Sequence, residues 1–264
     1  MRRTCLAVFL VSLFAARLSA NETIVVAAFE YPPIYQNGKE KGLSGDIVVA
    51  AFKAVDIDVD MQFLPVSRMV ATVKEGLAVC GIGGSVLFAA PDVAENVTVS
   101  SVIQYVSQTF LYNCKEYPAG IAFSSLSDMK NYRIGVLGGS GIMRFLNREK
   151  GLNLVANTSH DGTARQLQSG RVDVWAVVDL TGIRSMKRLF PKEASDYRCT
   201  KPFNLGDVSV VFSKKLDPND LYDGYFKKGL ATIKKNGTYL RLMAQYYGGE
   251  AAINRDALVP DMRP

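Results

Sequence analysis

The clearest recognition chemistry in this 264-residue chain lies at residues 136–144, Val-Leu-Gly-Gly-Ser-Gly-Ile-Met-Arg, a strand-like run that turns on glycines into a helix. The first N–H groups of a helix have no helical acceptor and sit at its positive end. Ser140 and Gly141 could therefore receive a carboxylate or a similar group. The competing explanation is an ordinary strand-to-helix turn in which glycines relieve crowding. A second candidate is residues 29–35, Phe-Glu-Tyr-Pro-Pro-Ile-Tyr. Two prolines stiffen a loop that would hold Tyr31 and Tyr35 over the mouth of a cleft, where an aromatic face stacks on a ligand or packs on its cation. Arg68 opens a helical stretch and Asp179 ends an apolar one. Charges at element ends are often merely solvated, but open α/β sheets bind ligands at the carboxyl ends of their strands, where Tyr31 and Asp179 fall.

Catalytic and cofactor signatures are missing. Gly139-Ser140-Gly141 begins like a dinucleotide loop, yet Arg144 stands where the last glycine is needed, and there is no phosphate loop of the G-x-x-x-x-G-K type. His160 is the only histidine and no C-x-x-C pair exists, which excludes a multi-histidine zinc centre. Ser140 lacks a nucleophile elbow. The expectation is a protein without cofactor or metal that is not an enzyme. Glu30 is the one cleft-side acid to name if it were.

The elements that would position these residues alternate along the chain. Met1, Arg2 and Arg3 precede an apolar run and the small-residue site Leu18-Ser19-Ala20, so residues 1–20 read as a signal peptide too short to span a bilayer. Three of the 31 basic residues and none of the 25 acidic ones lie there, so cleavage takes the formal charge from +6 to a weakly basic +3. The cations are scattered among acids, which argues against nucleic acid as partner. About 240 residues remain, enough for two lobes.

Within them, β-branched runs at 23–29, 58–64 and 78–84 alternate with helical stretches at 45–55 and 66–75. A second set follows: strands at 132–137, 152–156 and 172–178, helices at 140–149, 163–169 and 180–189. This is the pattern of an α/β protein with mostly parallel strands. The extended run 102–113 is a first crossover between the two sets, and 202–207, leading into a strand at 208–212, is a candidate return. Helices at 219–235 and 239–246 precede a polar tail. Of three mature cysteines, Cys80 lies in an apolar run and reads as a free thiol, whereas Cys114 and Cys199 flank strands in polar segments and are the expected disulfide.

Taken in order, Tyr31-Pro32-Pro33, residues 42–46, Gly83-Gly84-Ser85, Gly139-Ser140-Gly141, Gly170-Arg171-Val172-Asp173 and Lys235-Asn236-Gly237-Thr238-Tyr239 resemble the family 3 periplasmic solute-binding proteins of the polar amino acid branch. Each motif is weak, and the ordered set, running to about Tyr247, is specific. The resemblance implies a type II two-lobed periplasmic binding protein fold with two hinge strands. Lobe one would be 21–107 and 208–264, the latter partly a strand of lobe two before the C-terminal helices, and lobe two 108–207. It also implies a monomer in the periplasm that delivers a small polar solute, an amino acid or related carboxylate, to an ABC permease in the inner membrane.

In family terms Tyr31 is the stacking aromatic, Gly83 and Ser85 the polar wall of lobe one, Ser140 and Gly141 the carboxylate-binding turn, and Asp179 the acid that holds an α-amino group. One departure matters: the family's arginine clamp would fall within 88–93, and no Lys or Arg occurs between Glu75 and Cys114. Arg68 is the candidate substitute. Two other roles fit the same scaffold: a periplasmic dehydratase of cyclic dienyl acids, and a ligand sensor acting on a receptor in trans.

Overall fold

The computed structural model describes residues 22–263, so the expected signal peptide lies outside the described residues. The first half of the chain folds as β1 (Glu22–Ala28), α1 (Leu43–Lys53), β2 (Ile57–Phe63), α2 (Val66–Lys74), β3 (Cys80–Gly83) and a short α3 (Pro91–Ala94) before the long β4 (Val97–Asn113). The second runs β5 (Arg133–Leu137), α4 (Gly141–Leu146), β6 (Asn153–Asn157), α5 (His160–Gln168), β7 (Val174–Val178), α6 (Asp179–Leu189) and a short β8 (Tyr197–Cys199). Strand β9 (Asn204–Ser213) then leads to α7 (Leu221–Lys235), α8 (Thr238–Tyr247) and a tail of 3-10 turns.

Lobe one is the order β2-β1-β3-β9, with β1 parallel to both neighbours and β9 antiparallel to β3. Lobe two repeats it as β6-β5-β7-β4, with β4 the antiparallel member. Each lobe thus borrows one strand from the crossover pair. The two half-sheets are not separate, because β4 and β9 also pair with each other from Val97↔Ser213 to Gln108↔Asn204. One hydrogen-bonded path of strands therefore runs through both lobes. Its register shifts between Val99 and Val102 and again between Val102 and Gln104, where an extra residue bends a strand.

Alternation along the strands sorts the core. In β7 all five residues are buried, as expected of a strand covered on both faces. Val174, Ala176 and Val178 join one apolar cluster with Phe110, Ile134 and Ile142, while Trp175 and Val177 face Ala164, Leu167 and Met186 under α5 and α6. Lobe one does the same: Ile24, Val26 and Ala28 face α1 and α7, and Ala27 faces Met69 and Val73 of α2. Close packing of α1 on α7 depends on Gly229, where a Cβ would lie 1.9 Å from the Ala51 carbonyl oxygen.

Three expectations need correction. Helix α1 starts at Leu43 rather than Gly45, because Gly42 turns the chain at φ 82° and a Cβ there would meet the Ile34 carbonyl at 2.6 Å. Strand β9 begins at Asn204, inside the segment read as a crossover, because that segment pairs with β4. The Cys114–Cys199 disulfide does not form, and Cys80, Cys114 and Cys199 are all free. Cys199 pairs opposite Leu111, three residues short of Cys114. At ~3.4 Å per residue that separates the two Cα atoms by roughly 10 Å and points the side chains to opposite faces, beyond a disulfide's reach. Burial pushes the Cys199 thiol up to about 12, which keeps it inert.

Candidate functional site

The loop after β1 is fixed by its own backbone. Tyr31 and Tyr35 exchange hydrogen bonds of 2.9 and 3.1 Å, and the first amides of α1, Leu43 and Ser44, donate to the carbonyls of Pro33 and Ile34. The free end of α1 thus holds the loop, and the loop leans across to lobe two. The Tyr31 ring meets His160 edge-on at 4.7 Å, and its hydroxyl lies against the Val178 backbone, where burial pushes it well above its ordinary range. The Thr181 hydroxyl donates to the Pro32 carbonyl at 3.1 Å. On the same side, the Arg184 guanidinium of α6 lies 5.6 Å over the Tyr246 ring of α8, and the Tyr246 hydroxyl donates to Asp46. These contacts place the lobes against each other.

Asp179 begins α6 immediately after Val178 and is 7% exposed. One carboxylate oxygen accepts the Leu180 amide at 2.6 Å and the other accepts Asn254 Nδ2 at 2.8 Å. Burial pushes its pKa up, and the Asn254 and Leu180 donors oppose that by favouring the charged form. No cation pairs with it among the described residues. Ser140 caps α4, its hydroxyl accepting the Met143 amide at 3.1 Å. Gly139 has φ 71°, and a Cβ at Gly139 or Gly141 would meet nothing within 4 Å, so this turn faces open space.

On lobe one, Gly83 is buried at the end of β3, and Ser85 starts the next 3-10 turn. Both donors of Ser85 are already engaged: its amide and hydroxyl reach the two oxygens of Asp207 on β9 at 2.9 and 3.0 Å, and the Ser209 hydroxyl adds a third bond at 2.7 Å. Continuing the Gly83↔Ser209 pairing puts Ser85 opposite Asp207, so the contact follows from strand register. Arg68 is exposed in the first turn of α2 and makes no hydrogen bond or ion pair within the described residues. Glu30 is exposed beside Tyr31.

The structure therefore brings Tyr31 and Asp179 to either side of Val178, holds Ser85 on Asp207, and leaves Ser140 on its own helix and Arg68 in solvent. A concavity of about 450 Å³ beside α5, bordered by Arg165, Gln166, Arg171 and Phe190, includes none of the residues selected from sequence. No group of three or more His, Cys, Asp or Glu among the described residues is placed to hold a metal, and no described helix is long and apolar enough to cross a membrane.

Three residues stand out that the sequence did not single out as functional. His160 is wedged between Tyr31 and Trp175, the latter ring 5.8 Å away, and both its nitrogens are buried without a partner; burial lowers its pKa to about 4. Asp207 closes the lobe-one wall. Asn254 reaches Asp179 from the tail. The only signal for any of them was that His160 is the sole histidine.

No family model matches the chain. It is 23% identical over 253 residues to the arginine-binding periplasmic protein of Mannheimia haemolytica, a match covering 90% of this chain and 97% of that one. Among solved structures it is similar to a histidine kinase sensor domain that resembles periplasmic binding proteins, with TM-score 0.67, 18% identity and coverage of 91% and 99%. It is also similar to the substrate-binding protein of an amino acid ABC transporter, with TM-score 0.61, 17% identity and coverage of 86% and 99%. The strand orders of the two halves, the crossed pair β4 and β9 and these end-to-end likenesses together give the chain the two-lobed fold of the periplasmic binding proteins.

Proposed function

We propose that the chain is a periplasmic substrate-binding protein that captures a small polar solute, an amino acid or a related carboxylate, for an ABC importer. The observation that carries this reading is the interlobe contact: Tyr31 and Pro32 of lobe one rest on His160, Val178 and Thr181 of lobe two, beside the buried, cation-free carboxylate of Asp179. A carboxylate with no cationic partner at a lobe junction is suited to a ligand ammonium, a charge-assisted bond of about 1.5–3 kcal/mol net. The glycine turn at Gly139 and Gly141, which faces open space at the start of α4, suits the ligand's acidic end. With Ser85 committed to Asp207, lobe two supplies both charged contacts, and Tyr31 supplies the stacking face. The arginine-binding relative and the amino acid transporter structure support the solute class.

The test is heat stabilisation by a panel of the twenty L-amino acids. A ligand at 100 times its Kd stabilises by about 2.7 kcal/mol, which raises the Tm of a chain this size by about 5–10 °C. A panel that moves the Tm with none of its members removes the reading. Release of product from prephenate or arogenate would instead favour the enzyme, with Glu30 as acid.

A further inference from the structure

The tail beyond α8 lies past the motifs that carry the resemblance, yet it returns to the lobe junction. Two N–H groups of Asn254 are spent on the Ser107 hydroxyl of hinge strand β4 and on Asp179, both at 2.8 Å, and its Oδ1 accepts the Asp256 amide at 3.0 Å. Because the oxygen caps the following 3-10 turn, the amide has one orientation, with its donors toward the hinge and Asp179. That turn is anchored: Ala257, Leu258 and Val259 are buried, Lys234 pairs with Asp261, and the Arg263 guanidinium lies 5.8 Å over the Tyr105 ring of β4.

We infer that the C-terminal tail completes the solute site, with Asn254 as the positioning residue that fixes the Asp179 carboxylate against the hinge so that it meets the solute's ammonium group. This rests on the binding reading above. Asp179 needs such a partner because it is buried with no cation beside it, and Asp256 adds a second negative charge in its vicinity. A donor from the tail holds the carboxylate in its charged form and in one rotamer, so the ordering is done before the solute arrives. Asp179 then titrates as the tail allows: with the Asn254 donor present the charged form persists to lower pH, and without it affinity is lost earlier as pH falls.

The experiment uses the whole purified chain and the amino acid that gives the largest thermal shift in the panel of twenty. Its Kd is measured by calorimetry from pH 5 to 8 for the wild type, Asp179→Asn, Asn254→Ala and Ser107→Ala. The expected results are a loss of about 100-fold or more for Asp179→Asn, about tenfold at pH 7 for Asn254→Ala with its acid-side loss of affinity beginning at higher pH, and under about threefold for Ser107→Ala. Should Asn254→Ala be too unstable to purify, Asn254→Ser keeps the cap on the turn but cannot span to Asp179, and is read in the same way. If the Asn254 variants bind with wild-type affinity and pH dependence while Asp179→Asn fails, the inference falls and the binding reading stands. If Asp179→Asn binds normally, or no amino acid shifts the Tm, both fall.

Discussion

Ser85 and Ser140 each stand just past the carboxyl end of a strand and open a helical segment, yet the two lobes use them in opposite ways. Lobe one has turned its donors inward, with the amide and hydroxyl of Ser85 closing on Asp207. Lobe two keeps Ser140 within its own strand-to-helix turn, the amide donating to the Leu137 carbonyl at 3.2 Å and the hydroxyl accepting the Met143 amide, and the glycines around it face open space. An internal carboxylate thus takes up the donors of Ser85, the residue the resemblance leads one to expect in the polar wall of lobe one, on the lobe where no Lys or Arg falls between Glu75 and Cys114. The two lobes are therefore not interchangeable at this position: the donors of Ser85 are closed on lobe one itself, whereas the glycine turn of lobe two borders open space.

The largest expected effect breaks the lobe-one side. Asp207→Ala would orphan the Ser85 amide and remove the acceptor of two hydroxyls, at a cost of up to about 3 kcal/mol. Calorimetry would then show the Tm falling by about 5–10 °C, with Asp207→Asn in between. An unchanged Tm would mean that the wall is not closed on itself.

Next comes the contact between the lobes. His160 titrates at about 4 in this structure because it is buried, against about 6.5 when exposed. Its contribution to stability is therefore complete above about pH 6.5 and is lost as pH falls toward 4, a change of about 2 kcal/mol after allowing for partial exposure. Asp161 on its own helix, paired with Arg188 of α6, works against the depression, and Tyr31 covers the ring from lobe one. Urea unfolding between pH 4.5 and 7.5 should show that slope in the wild type, and His160→Phe should flatten it. The smallest effect is on lobe two: Ser140→Ala removes only a helix cap, about 1 kcal/mol, lowering the Tm by about 2–4 °C.

What could be read in advance was whatever depends on neighbours in the chain. The β-branched run of β7, the turn at Gly139 and the proline loop at Tyr31 are local patterns, and the strands and helices lie within a few residues of where periodicity puts them. What stayed hidden depends on register and on folding back. Cys114 and Cys199 look like a pair until β4 and β8 are aligned, when they prove to be offset by three residues. Asp207 reads as part of a link because only its partner β4 makes that link a strand. Asn254 lies 75 positions from Asp179 and 147 from Ser107, and nothing in a polar tail announces such a return.

The lacing of β4 to β9 has a mechanical consequence. Two strands bonded to each other over most of their length behave as a leaf spring rather than as a pair of loose strings. The halves of the molecule cannot drift apart or spin freely without breaking many backbone bonds at once. Only the stretch with irregular pairing from Val99 to Gln104 departs from that lacing, and it is where bending would break the fewest regular bonds.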